Sequence, residues 1–266
     1  MIKRLCIVIC VLTLILFTSC ETPSAFETEQ TTESNQIQQT TKTTEFEESE
    51  NIEQTTESEH FVIYYSEKDA DLVDYIIDGL ENNYERITSI LQVELSEKSE
   101  IYVYYDFETF HKDVVKPNWT TGVYYDGQIR ILVWDEQGVP FDYEDMGKVA
   151  VHEFVHLAAA SVNKNAPAYL NEGLATFLAE QDEWAKETAI FAIQNNHFPS
   201  VEQLYRMSAD EGLYTYGYLY VKYIVYEYGY EYLLELYKRP PVYSSDEFQE
   251  NWINYLIDAY SIELSE

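Results

Sequence analysis

Three regimes of hydrophobic and polar positions follow one another along the chain. Leu5 to Phe17 is an apolar run, Glu21 to Glu59 is polar almost throughout, and apolar residues return in regular patterns from His60. Phe61 to Tyr65 predicts a strand. Leu72, Ile76, Leu80, Tyr84, Ile87 and Leu91 recur at helical spacing and predict a helix from Asp69 to Leu91. Ile101 to Tyr105 predicts a second strand, and Phe107 to Val115 a short helix stopped by Pro117. Gly122 to Trp134 predicts two strands joined at Asp126-Gly127, a strong hairpin signal. Helical patterns follow over 143–162, 167–181, 184–195, 213–228 and 246–260, with Pro167, Pro199 and Pro240-Pro241 as punctuation. Strands first and helices second predict an α+β fold. A mostly antiparallel sheet lobe leads into a helical lobe within one domain, 60–266.

The first sixty residues carry no such periodicity. Lys3-Arg4 precedes an apolar run too short for a spanning helix, which needs about 20 residues, so 1–20 reads as an export signal. Phe17-Thr18-Ser19-Cys20 resembles a bacterial lipobox, which implies cleavage before Cys20 and lipidation of its thiol. An ordinary cleaved signal is the alternative. The 21–59 stretch holds eleven Glu and one Lys, with no Gly. It cannot bury enough apolar surface to offset chain entropy, and it reads as a disordered, extended stalk. These readings place the domain outside the cytoplasmic membrane, tethered through Cys20.

Charge narrows the function. Lys and Arg number 16 against 48 Asp and Glu, a formal charge of −32. Nucleic-acid binding is excluded, because phosphate contacts need clustered cations. Long-range steering by such a surface would favour basic substrates. Cys6, Cys10 and Cys20 are the only cysteines, so the body has neither a disulfide framework nor a Cys-ligated metal.

The chemistry is concentrated in two short segments. In Val149-Ala-Val-His152-Glu153-Phe-Val-His156, residues four apart share a helix face, so both histidines can hold one cation. Glu153 projects beside them, able to reach a water on that cation without ligating it. Asp142 is placed to cap this helix, and Glu144 and Asp145 suit its positive end. The second segment is Tyr169-Leu-Asn171-Glu172-Gly173-Leu-Ala-Thr176, beginning a new helix after a short loop. Glu172 supplies a third ligand, and a catalytic zinc wants three protein ligands with a position left open. Gly173 permits close helix approach.

Together, His-Glu-x-x-His and Leu-Asn-Glu-Gly-x-Ala resemble the gluzincin zinc metallopeptidases, and more closely the bacterial peptidase MA-like group. Pro199 to Leu204, Tyr216 to Ile224 and Tyr228-Gly229-x-x-x-Leu-Leu extend the resemblance. It implies one Zn2+ held by His152, His156 and Glu172, with Glu153 as general base hydrolysing peptide bonds of a peptide or protein substrate. It also implies a tyrosine oxyanion donor at the head of a later helix. That assigns Tyr216, with Tyr214 and Tyr218 as neighbouring alternatives. The chain lacks the Gly-x-Met-Glu-Asn segment that captures a free N-terminus in aminopeptidases, which favours internal cleavage. Thr176 stands where the family carries an acidic residue, leaving a hydroxyl to bond His152 or another ligand. An edge strand beside the metal, either Gly122-Val123-Tyr124 or Ile129-Arg130-Ile131, would hold substrate backbone. His60, His111 and His197 fall outside ligand spacing and read as structural or surface residues. The competing function is a non-catalytic surface lipoprotein that keeps the fold for binding.

Overall fold

The computed structural model describes residues 53–263 other than 115 and 118, so Cys20, the signal and most of the stalk lie outside the described residues. Its strands are β1 (Gln54–Glu57), β2 (Phe61–Tyr65), β3 (Ser99–Tyr104), β4 (Gly122–Tyr125) and β5 (Gln128–Leu132). Its helices are α1 (Ala70–Leu91), α2 (Phe107–Val114), α3 (Tyr143–Asn163), α4 (Ala168–Leu178), α5 (Ala185–Gln194), α6 (Val201–Arg206), α7 (Leu213–Lys238) and α8 (Asp246–Tyr260). The α+β class and the order, sheet then helices, agree with the pattern of the chain.

The sheet is mixed rather than mostly antiparallel. Its order is β1-β2-β3-β5-β4, with parallel pairing at β2–β3 and β3–β5 and antiparallel pairing at both edges. The reason is the connection. Parallel neighbours need a long crossover, and α1 supplies it between β2 and β3, while α2 and β4 lie between β3 and β5. β1 falls inside the stretch that composition assigns to the stalk. Its side chains are mostly exposed, and backbone pairing of Gln54 with Tyr65 through Glu57 with Val62 makes the strand without apolar burial.

The sheet separates two packed layers. Phe61, Ile63, Ile101, Ile129 and Ile131 are fully buried against α1 and α3, where Phe61 meets Phe154 edge-on at 5.2 Å between ring centres. A smaller cluster of Tyr104, Phe110, Val123 and Leu132 forms under α2. The hairpin turns as expected, with φ of 52° at Asp126 and 82° at Gly127, the paired positive values of a type I′ turn. α7 continues past the expected end at 228. Gly229 breaks it with φ 84° and ψ 171°, a conformation confined to glycine, and the chain resumes helix to Lys238. α6 had no periodic signal, but Ser200 and Gln203 cap it reciprocally.

Candidate metal centre

α3 begins where its sequence says it should. Asp142 Oδ1 accepts the backbone N–H of Glu144 at 3.0 Å and of Asp145 at 3.3 Å. Val149, His152, Glu153, His156, Leu157 and Ala160 lie three and four apart, so one face of the helix floors a cleft of about 920 Å3. His152 and Glu153 are only 8% and 7% exposed. Two imidazoles and a carboxylate at that depth carry a desolvation cost that a purely structural helix would avoid.

α4 brings the third group. After Pro167 the chain turns back along α3, and Glu172 Oε2 lies 3.3 Å from Nε2 of both His152 and His156, while the two Nε2 atoms are 3.1 Å apart. α4 is pinned by α7. A methyl group added at Gly173 would sit 2.3 Å from the backbone of Gly217, and one at Gly217 would sit 2.3 Å from the carbonyl of Tyr169. The close approach that Gly173 permits is therefore with α7.

Three donor atoms mutually 3.1–3.3 Å apart fit a tetrahedral ion. Metal–ligand bonds of about 2.0–2.1 Å at tetrahedral angles place neighbouring donors about 3.3 Å apart. Among the described residues, this is the one group of three His, Cys, Asp or Glu side chains arranged to hold a metal. Its electrostatics agree. Burial opposes the charge on Glu172, but hydrogen bonds and charge from both imidazoles outweigh it and hold the carboxyl well below its ordinary range. Burial also disfavours charged His156, yet the hydrogen bond and charge of Glu172, with Glu153 behind, push that imidazole upward. Cationic charge at this point is favoured whichever species carries it.

Glu153 stands outside the donor triangle. Burial raises its pKa, Glu172 adds to the rise, and the two imidazoles and the backbone N–H of Tyr124 oppose it, leaving a net upward shift. Tyr124 belongs to β4, which is the sheet edge, whereas β5 with Ile129-Arg130-Ile131 is interior. Leu132 N–H bonds the Thr121 carbonyl, so by antiparallel alternation Gly122 and Tyr124 direct their backbone groups away from β5, toward the cleft. Tyr124 spends its N–H on Glu153, and the Gly122 groups face the open side. A Cβ on Gly122 would lie 2.7 Å from Glu153 Oε1 and from Val149 Cγ1, so only glycine lets the strand lie this close to Glu153.

Two expectations are corrected. Tyr216 does not face the metal group: it packs edge-on against Phe198 at 5.8 Å and lines a separate groove with His197 and Pro199. Two residues on a helix are about 200° apart, so Tyr214, two positions earlier, takes the opposite direction. The Tyr214 ring lies 6.3 Å from that of His152 and lines the cleft. Burial, then the charges of Glu172 and Glu153, push its hydroxyl above the ordinary tyrosine range. Tyr218 donates to Asp182 at 3.2 Å instead. Thr176 is the second correction. Its hydroxyl is buried without a hydrogen-bond partner, and His152 Nδ1–H instead donates to Gln181 Oε1 at 2.9 Å. That bond fixes the tautomer and aims the Nε2 lone pair at the donor triangle.

Sequence reasoning missed both Gln181 and Tyr237. The Tyr237 hydroxyl donates to Asn171 Oδ1 at 2.6 Å, beside Glu172, and Asn163 Nδ2 donates to the Tyr237 carbonyl at 2.9 Å. The remaining histidines are structural or peripheral as expected. His60 bonds Glu81 at 2.6 Å and stacks on Tyr84, and His111 packs among Phe107 and Phe110.

No curated protein sequence matches the chain. A family model described as the Peptidase MA superfamily does, over residues 81–247. That span holds α3 and α4, the edge strand β4 and the head of α7, and it covers well over half of the chain; the chain belongs to the Peptidase MA superfamily.

Proposed function

We propose that the protein is a zinc metallopeptidase acting on internal peptide bonds, tethered outside the cytoplasmic membrane by a lipid on Cys20. The observation that carries the catalytic reading is one constellation. His152, His156 and Glu172 present three donor atoms at tetrahedral spacing, and a buried non-ligating carboxylate, Glu153, stands beside them. A protein that used the fold only for binding would have no use for that fourth group, buried at a cost and held by a strand. The tether rests on the lipobox-like end of the signal, and internal cleavage on the missing N-terminus-capturing segment.

When bound, zinc supplies Lewis acidity that activates water and polarises the scissile carbonyl. Glu153 takes the proton of the attacking water and passes it to the leaving amine. Burial, which raises its pKa, suits it to hold that proton between the two steps. Tyr214 keeps its own proton, because burial and the neighbouring carboxylates disfavour phenolate, and so can donate to the developing oxyanion. The free backbone groups of Gly122 on the β4 edge pair with an extended substrate. Gln181 and Asn171 keep the ligands in register from behind.

Glu153→Gln is the deciding variant. It preserves shape and removes the base, so it should keep one zinc per chain while peptide cleavage falls about 100-fold or more. Cleavage at the parental rate by the zinc-loaded variant would overturn the mechanism.

A further inference from the structure

Among the described residues, five lysines have side-chain partners. Lys98 pairs with Glu57 at 2.8 Å, Lys148 with Glu183 at 3.9 Å and Lys238 with Glu235 at 2.9 Å. Lys222 reaches the Tyr260 hydroxyl, and Lys68 lies over the Tyr105 ring. With 48 acidic side chains against 16 basic ones, two cations in one groove run against the charge of the chain as a whole. Lys116 and Lys164 both line the metal cleft. Both are exposed, and their side chains make no ion pair or hydrogen bond among the described residues. Acidic residues are also sparse on the cleft wall: among the described residues, Glu153 and Glu172 are its only carboxylates. A divalent ion in the donor triangle would balance those two, leaving the lysines as uncompensated charge in the groove.

We propose that the cleft selects acidic peptides, with Lys164 and Lys116 reading a substrate carboxylate at a distance from the cleaved bond. The inference rests on the peptidase reading of the same site and reverses the preference for basic substrates that overall charge suggests. Lys164 caps α3 eight residues beyond His156, which is about 12 Å along the axis at 1.5 Å per residue. An extended peptide covers that distance in about four residues at 3.3 Å each. Lys116 lies on the α2–β4 connection, together with the exposed Trp119. The acidic shell opposes approach of such a peptide at long range. Salt screens that field over about 8 Å at physiological strength, so the charges in the cleft govern close contact.

The test uses the zinc-loaded full chain and peptides identical except for Glu, Gln or Lys three to four residues from the cleavage point, on either side. The Glu peptides should show kcat/KM about tenfold above the Gln peptides, a gap that narrows with added salt. Lys116→Gln with Lys164→Gln should abolish that gap and leave cleavage of the Gln peptides within about twofold. Peptide affinities for the Glu153→Gln variant, from fluorescence anisotropy, should rank in the same order. Equal cleavage of Glu and Gln peptides, or preference for Lys, overturns the inference and leaves the peptidase reading intact. Tighter binding of acidic peptides with no cleavage by the parent would instead overturn the peptidase reading alone. Absence of both cleavage and selective binding defeats both.

Discussion

At the scale of single residues, the position of Glu153, the proposed base, depends on a glycine that has no side chain to displace it. Gly122→Ala would drive a methyl group into Glu153 Oε1 and Val149 Cγ1, each 2.7 Å away. The flexible carboxylate moves first. Displacement of a reacting group by about 1 Å can cost a hundredfold in rate, so kcat should drop between tenfold and a hundredfold. Zinc content should hardly change, because His152, His156 and Glu172 stay in place. Steady-state kinetics with metal analysis decide it, and an unchanged kcat would mean that Glu153 is not held by β4. The candidate metal group was legible because metal chemistry imposes a spacing that the chain displays, two histidines a helical turn apart and then Asn-Glu-Gly. Tyr214 was not, since tyrosine occurs throughout α7 and only the rotation of that helix against α4 separates Tyr214 from Tyr216. Gln181 was hidden for a different reason. Glu180 takes a positive φ of 57° after α4, and Gln181 N–H then bonds the Thr176 carbonyl, folding its side chain back to His152. A residue past a helix end, with no glycine to announce the turn, leaves no pattern to read.

At the scale of elements, the candidate metal site is an α3–α4 pair whose spacing α7 enforces. Gly173 and Gly217 meet backbone to backbone, so neither can carry a side chain without separating the helices. Gly173→Ala should destabilise the protein by about 2 kcal/mol or more, the usual scale of overpacking a tight contact. For a domain of this size that is a fall of roughly 4–8 °C in Tm. Because Glu172 is the preceding residue, zinc affinity should weaken as well. A thermal melt matching the parent would show that the crossing is looser than described. Most elements were legible from periodicity, including the α1 stripe, the Asp126-Gly127 hairpin and the capped start of α3. Strand direction was not, because pairing is set by which crossovers cover the sheet, and no local pattern in β2, β3 or β5 states it. β1 was unreadable for the same physical reason: an exposed edge strand rests on backbone bonds, and its side chains look like those of the stalk.

At the scale of the whole molecule, a strongly acidic composition contrasts with a cleft where, among the described residues, Glu153 and Glu172 are the only acidic side chains. The sheet supports the base and the edge strand on one side. The tyrosine-rich helices support the third ligand and Tyr214 on the other. The arrangement has meaning only if the two sides close on one ion. X-ray absorption at the zinc edge of the zinc-loaded, purified full chain measures that closure directly. The expected result is one zinc per chain with two imidazole nitrogens and one carboxylate oxygen from the protein at about 2.0–2.2 Å, and no sulfur. Failure to retain zinc after dialysis, or a bound zinc without imidazole scattering, would contradict it.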